Sequence, residues 1–102
     1  MAGFVPVSDW SQLEDGRLHH VEVGGVALCL CRVGGQVFAV HDVCTHQNYP
    51  LSEGELDGYV LTCAAHGAQF DVRSGRVLRP PAYKPVKTYP TRVRDGRVEV
   101  EV

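Results

Sequence analysis

The sequence lacks the features of a membrane-spanning or secreted chain. Hydrophobic residues make up 44% of it, but no apolar run approaches the roughly 18 residues of a membrane span. The first residues contain no basic segment followed by an apolar stretch, so no secretory signal is expected. We therefore predict a cytoplasmic protein, in which the four cysteines serve as metal ligands or core residues rather than as disulfides.

The chain is also short, and it has little excess of charge of either sign. Its 102 residues predict a single domain over residues 1–102. The net charge is −2, with acids concentrated in residues 1–60 and bases in residues 61–102. The basic half does not resemble a nucleic-acid-binding surface, because its charges are scattered and alternate with apolar residues. We therefore expect neither a nucleic-acid partner nor a membrane partner.

Helix signals are nearly absent, apart from one turn through residues 9–13 that Ser8 could cap. Val-rich runs separated by Gly-Gly, Ser-Gly or Asp-Gly pairs predict hairpins instead. The strictly alternating valines of residues 97–102 should face the core. These patterns predict an all-β fold, a small antiparallel sandwich or barrel. The predicted strands lie near residues 17–23, 26–33, 36–41, 59–62, 68–73, 76–78, 86–93 and 97–102.

Two short arms carry the pattern that points to chemistry. The first is Cys-x-His, with Cys44 and His46, and the second is Cys-x2-His, with Cys63 and His66. Each arm supplies one thiolate and one imidazole, whereas a zinc finger carries its cysteines on one segment and its histidines on another. Two cysteines and two histidines on converging loops suit a two-iron cluster with mixed sulfur and nitrogen ligation. A structural Cys2His2 zinc site is the alternative.

The order and spacing of the arms match the Rieske pattern, and the sequence Gly-Ala-Gln-Phe-Asp-Val-Arg-Ser-Gly follows the second cysteine arm at residues 67–75. Over nearly its whole length the chain resembles the Rieske-type ferredoxins of bacterial multicomponent aromatic-ring dioxygenase systems. The resemblance implies one [2Fe–2S] cluster held between loops 42–58 and 63–67, at one end of the β scaffold. The implied cluster ligands are Cys44, His46, Cys63 and His66.

The resemblance also implies an electron carrier with no catalytic site of its own. Such a ferredoxin passes single electrons from an NAD(P)H-dependent flavoprotein reductase to a terminal Rieske non-haem iron ring-hydroxylating dioxygenase. The second function class is a Rieske subunit held permanently in a diiron monooxygenase or a nitrite reductase-like complex. Carried over from the family, His46 and His66 become the exit for the electron, and partners dock transiently at the cluster end. The expected apolar collar there consists of Gln47, Pro50, Leu51, Gly67, Pro80 and Pro81.

The residues around the arms differ from those of the Rieske centres in respiratory and photosynthetic quinol oxidases, which the sequence also resembles. Those centres join their cluster loops through a disulfide, whereas this chain has Tyr49 and Ala65 at the corresponding positions. They also place a Ser and a Tyr hydroxyl near cluster sulfur, where this chain has Ala68 and Phe70. Fewer hydrogen-bond donors to sulfur lower the reduction potential, so we predict about −150 mV rather than about +300 mV.

The remaining cysteines and histidines are interpreted as structural. Cys29 and Cys31 stand two residues apart in a predicted strand, so they share one face. We expect both to be small core or face residues, with no disulfide between them. His19 and His20 should point to opposite faces of their strand, and neither is expected to be a ligand. His41 is interpreted as a surface histidine at the end of a strand.

Overall fold

The computed structural model describes residues 3–45, 48–65, 67–80 and 84–102, which form three antiparallel sheets. The first sheet contains, in spatial order, β1 (Phe4–Asp9), β11 (Arg97–Glu101) and β10 (Thr91–Arg94). The second contains β2 (Leu18–Val23), β3 (Val26–Val33), β4 (Gln36–His41) and β9 (Thr88–Tyr89). The third contains β5 (Glu55–Asp57), β6 (Val60–Thr62), β7 (Gln69–Asp71) and β8 (Val77–Arg79).

Helical structure in the described ranges is limited to two 3-10 turns, Trp10–Gln12 and Leu51–Glu53. Neither could cross a bilayer, so these ranges contain no candidate transmembrane helix. The predicted all-β antiparallel fold is confirmed. The predicted cap is wrong: Ser8 lies inside β1, and Asp9 precedes the first 3-10 turn without a side-chain capping bond.

The second sheet lies between two cores, because β3 is buried on both of its faces. Leu28 and Leu30 belong to the core shared with the first sheet, where Val98 and Val100 of β11 are also fully buried. The cysteines of β3 belong to the opposite core, shared with the third sheet. The leucines and cysteines alternate along β3, and successive side chains of a strand point to opposite faces. We call these the leucine core and the cysteine core.

Strands β2, β3 and β4 agree closely with the prediction, and three short turns join antiparallel partners as expected. The turn between β10 and β11 has positive φ at both Asp95 and Gly96, which is the geometry that an Asp-Gly hairpin predicts. The inward valines of β11 are confirmed for Val98 and Val100. The prediction is wrong for Val102, which lies beyond the end of the strand and is 38% exposed.

Two strands were not predicted. β1 pairs with β11 as an edge strand, and its pairing shifts between Pro6 and Ser8. Proline interrupts a strand pattern but is tolerated at a sheet edge or an irregularity, which explains the omission. β5 was included in the predicted loop 42–58, because three residues are too few to show a period. Within it, Leu56 packs against the cysteine core while its neighbours are exposed.

Two predicted strands were too long, each for a local reason. Pro90 divides the predicted strand 86–93 into β9, which pairs with β4, and β10, which pairs with β11. The chain therefore passes from the second sheet to the first at a residue without an N–H. The strand predicted over 68–73 ends at Asp71, whose side chain accepts the N–H of Arg73 at 2.9 Å and begins a turn.

Candidate metal centre

The two cysteines of the arms lie at the ends of strands and are buried in one core. Cys44 is the third residue after β4, and Cys63 directly follows β6. They are 3% and 2% exposed, and both belong to the cysteine core. The structure therefore brings the two predicted thiol ligands into one apolar environment.

Hydrogen bonds to backbone carbonyls fix the first arm. The N–H of Cys44 donates to the carbonyl of Tyr49 at 2.8 Å, which joins the start of the arm to the segment that follows it. The hydroxyl of Thr45 donates to the carbonyl of Lys84 at 2.7 Å, which ties the arm to the segment before β9. Leu51 anchors the following 3-10 turn, because its side chain is fully buried in the cysteine core.

Cys63 directly follows β6, and the described residues on either side of His66 connect β6 to its antiparallel partner β7. The N–H of Cys63 donates to the carbonyl of Ala68 at 2.8 Å, and the N–H of Gly67 donates to the carbonyl of Cys63 at 3.0 Å. Within the two strands, the amide of Gln69 donates to the hydroxyl of Thr62 at 3.1 Å. These hydrogen bonds give the Cys63 side chain a defined direction.

Gly54 lies where the segment after the first arm contacts the strand before the second arm. A Cβ atom at this position would overlap the carbonyl oxygen of Thr62, the residue before Cys63. It would also lie 3.2 Å from the carbonyl oxygen of Leu51. The backbone that follows the first arm therefore packs directly against the backbone that leads into the second.

The two motif histidines, His46 and His66, lie outside the described residues. Their predicted roles as ligands therefore stay predictions. Thr45, which precedes the first histidine, and Ala65, which precedes the second, are both partly buried. Ala65 also packs against the cysteine core.

The sequence interpretation missed a buried carboxylate at the start of the first arm. Asp42 directly follows β4 and is 3% exposed. It accepts hydrogen bonds from the backbone N–H of Ser52 at 2.6 Å, from the hydroxyl of Ser52 at 2.7 Å and from Nδ1 of His20 at 2.5 Å. The only sequence signal was an acid between a strand and a motif cysteine, which does not by itself indicate burial.

The adjacent histidines His19 and His20 diverge as predicted. His19 pairs across the sheet with Leu30, and its Nε2 accepts the backbone N–H of Glu14 at 3.2 Å. His20 pairs with Cys29 and reaches Asp42. Hydrogen bonds to Asp42 and then to Glu22 raise the pKa of His20 above the ordinary value of 6.5. His20 therefore keeps its proton to higher pH than an unpaired histidine.

Cys29 and Cys31 are fully buried in the cysteine core, as predicted, and form no disulfide. Their sulfur atoms lie 3.9 Å apart, which is a hydrogen-bonding contact. This contact and burial raise the pKa of the Cys29 thiol far above its usual range. A thiol that stays protonated is a poor metal ligand, which agrees with the interpretation of Cys29 as a structural residue.

Comparison with known proteins agrees with the fold. The family model for the Rieske [2Fe-2S] domain matches residues 3–90. This chain belongs to the Rieske family. It is 34% identical to the ferredoxin component of the naphthalene 1,2-dioxygenase system of Pseudomonas putida, with 90% of this chain and 88% of that protein covered.

Solved Rieske structures share the fold over almost the whole chain. The ferredoxin of Sphingomonas yanoikuyae B1 superposes with a TM-score of 0.92 at 32% identity, covering 98% of this chain and 99% of that one. A chain in the complex of reduced oxygenase and oxidised ferredoxin of carbazole 1,9a-dioxygenase gives a TM-score of 0.89 at 37% identity. That match covers 94% of this chain and 99% of the other.

A Rieske-type [2Fe–2S] cluster is thus the cofactor of this chain, and the described residues fit it. The Cys44 and Cys63 side chains share one hydrophobic core, in which Leu61 and Phe70 are also fully buried. Thiolates in a dry, apolar environment suit iron–sulfur ligation. This Rieske domain has no cysteine at Tyr49 or Ala65, so no disulfide can join its arms there.

One residue of the expected collar is misplaced. Leu51 is fully buried in the cysteine core and cannot form part of an exposed surface. It occurs in a short 3-10 turn with its side chain inward, and so short a turn shows no period in the sequence. Pro50 and Pro80 are exposed and Gly67 is partly exposed, while Gln47 and Pro81 lie outside the described residues.

Proposed function

We propose that this chain is a cytoplasmic, low-potential electron carrier made of one Rieske domain. In this proposal it takes single electrons from an NAD(P)H-dependent flavoprotein reductase. It delivers them to a terminal Rieske non-haem iron ring-hydroxylating dioxygenase and has no catalytic site of its own. The observation that carries the proposal is the near full-length likeness to a named ferredoxin component and to a chain of an oxygenase–ferredoxin complex.

We further propose that Cys44 and Cys63 bind one iron of the cluster and that His46 and His66 bind the other. When bound, the cluster supplies one-electron redox chemistry. The chain's own residues hold both thiols out of water through the backbone bonds of the two arms. Leu51 and Leu61, which are buried in the same core as the thiols, exclude solvent. The environment of the thiols therefore changes little when charge is added.

Partners are proposed to dock transiently at the cluster end. The exposed prolines on the described part of this surface, Pro50 and Pro80, offer a small apolar contact area. Small contacts are typical of electron-transfer complexes, which must release each partner quickly. The same surface would then serve the reductase and the oxygenase in turn.

The purified protein is expected to be red-brown, with about two irons and two acid-labile sulfides per chain. After reduction with a flavoprotein reductase and NADH, rapid mixing with a ring-hydroxylating oxygenase should reoxidise it within the oxygenase's turnover time. Pulsed EPR of the reduced protein should show coupling to imidazole nitrogens, which a cluster with four thiolate ligands would lack.

A colourless protein containing one zinc would contradict the cluster ligands proposed above. A coloured protein that transfers electrons to a diiron monooxygenase, but to no ring-hydroxylating oxygenase, would instead contradict the proposed partner. Plant-type ferredoxin, which has four cysteine ligands, is the matched control for the nitrogen coupling.

The reduction potential is expected to be near the low end of the Rieske range, about −150 mV. Ala68 and Phe70 are fully buried next to the arm cysteines, and neither has a hydroxyl to donate to cluster sulfur. Without such donors the more negative, reduced cluster is less stabilised. Spectroelectrochemical titration tests this expectation, and a midpoint well above 0 mV would contradict it.

A further inference from the structure

The buried carboxylate of Asp42 has no part in the ligand set proposed above, yet it lies two residues before Cys44. Its Oδ1 atom accepts the backbone N–H of Ser52, and its Oδ2 atom accepts the Ser52 hydroxyl and Nδ1 of His20. Burying a carboxylate costs several kcal/mol unless hydrogen bonds or an opposite charge compensate for it. Three donors, one of them a histidine that can carry charge, supply that compensation here.

The partners of Asp42 join the two ends of the loop that contains the first arm. Asp42 lies where this loop leaves β4, and its own N–H donates to the carbonyl of Ala27 in β3 at 3.0 Å. Ser52 lies ten residues later, in the 3-10 turn that follows the arm. One carboxylate therefore clamps both ends of the segment that carries Cys44.

His20 covers this clamp from the neighbouring strand β2. Its side chain is 46% exposed, while the side chain of Asp42 is completely shielded from solvent. Its other ring nitrogen, Nε2, contacts Glu22 at 3.2 Å. Among the described residues, the charged and titratable groups next to His20 are Asp42 at the end of β4, Glu22 on its own strand and Cys29, its cross-strand partner in β3.

The three side chains do not form a hydrolytic triad, although they are a serine, a histidine and an aspartate. In a triad the imidazole lies between the hydroxyl and the carboxylate and takes the hydroxyl proton. Here the carboxylate lies between the other two, and the Ser52 hydroxyl donates to Asp42. The arrangement activates no nucleophile, and its geometry is that of a positioning unit.

We propose that His20, Asp42 and Ser52 are positioning residues that hold the first arm in the shape that presents Cys44 to the cluster. The unit also places one negative charge at the base of the arm, partly balanced by His20. A nearby negative charge disfavours adding an electron, so the unit lowers the reduction potential. This inference rests on the proposal that Cys44 is a cluster ligand.

The test uses the cluster-loaded protein and two readouts that do not depend on an oxygenase. The first is the rate at which cluster iron is released to a chelator, and the second is the reduction potential. Asp42→Asn is expected to release iron about tenfold faster, as is typical when a group that orients a metal ligand is changed. Its potential should become more positive, because a buried negative charge is lost.

His20→Gln should also release iron faster, but its potential should shift the other way. At about pH 6, below the ordinary histidine pKa of 6.5, this variant removes a positive charge and its potential should fall. Opposite shifts distinguish an electrostatic role from simple loosening of the arm. The double variant should release iron no faster than Asp42→Asn, because both residues act through one carboxylate.

Asp15→Asn is the matched control. Asp15 also accepts a backbone N–H, that of Gly34 at 2.7 Å. Gly34 lies in the turn between β3 and β4, whereas Asp42 lies at the opposite end of that hairpin. It should keep the wild-type release rate and potential. If Asp42→Asn does not fold, His20→Gln and Ser52→Ala decide: faster release than Asp15→Asn supports the proposal, and wild-type release overturns it.

Failure of this inference can be told apart from failure of the ligand assignment. A wild-type protein that contains zinc in place of a cluster would overturn the proposed role of Cys44. A wild-type protein with its cluster, combined with Asp42 and His20 variants of unchanged release rate and potential, would overturn only the positioning role.

Discussion

Replacing either arm cysteine by serine, as Cys44→Ser or Cys63→Ser, is expected to yield protein that has lost its colour and nearly all its iron. Both side chains are almost completely buried, so no water or exposed group can take the place of the missing thiolate. Changing residues that only support a metal ligand already costs about 10–100-fold in affinity. The loss of a ligand should exceed that cost, and iron analysis with visible absorption measures it.

Cys29→Ser is the matched control for this experiment. It makes the same chemical change in the same core, at a thiol that is also fully buried but is not part of either arm. We expect it to keep its cluster and to lose about 1–2 kcal/mol of stability, because it buries a more polar group. Full cluster retention in Cys44→Ser, or cluster loss in Cys29→Ser alone, would contradict the proposed ligands.

Gly54→Ala is expected to destabilise the protein more than other small-to-small changes in its loops. The added methyl group would overlap the carbonyl oxygen of Thr62, and a backbone atom cannot rotate aside as a side chain can. Overpacking of this kind costs about 2–3 kcal/mol. In a domain of this size that lowers the melting temperature by about 10–20 °C. Thermal unfolding followed by circular dichroism measures the change.

Gly35→Ala supplies the comparison for that experiment. A Cβ atom at Gly35 would meet nothing within 4 Å, and the backbone there does not require positive φ. This variant should melt at or slightly above the wild-type temperature, since alanine restricts the unfolded chain. Equal melting temperatures for the two variants would show that the contact between Gly54 and Thr62 can relax without loss of stability.

The sequence was sufficient to predict the features that depend on neighbouring residues. Hairpin turns such as Asp95-Gly96 and the shared face of Cys29 and Cys31 in β3 depend on local spacing, and both were predicted correctly. The specific motif of the arms led to the prediction that Cys44 and Cys63 are ligands, and the structure places both cysteines in one core. The predicted fold class followed from the same local signals.

The features that were missed depend on contacts between distant segments. The burial of Asp42 requires His20, 22 residues earlier, and Ser52, ten residues later, and no spacing rule connects them. The inward direction of Leu51 depends on a 3-10 turn that has no strong sequence signal. β1 was hidden by Pro6, whose tolerance depends on its place at a sheet edge.

Because the side chains of β3 alternate between two cores, the two faces of the strand tolerate different amino-acid substitutions. On the leucine core, any set of side chains with the right volume and apolar character can fill the space between the first and second sheets. On the cysteine core, substitutions must also leave the thiols of the arms correctly placed and undisturbed. A single strand thus separates a core constrained by packing alone from a core that also contains the two cysteines proposed as ligands.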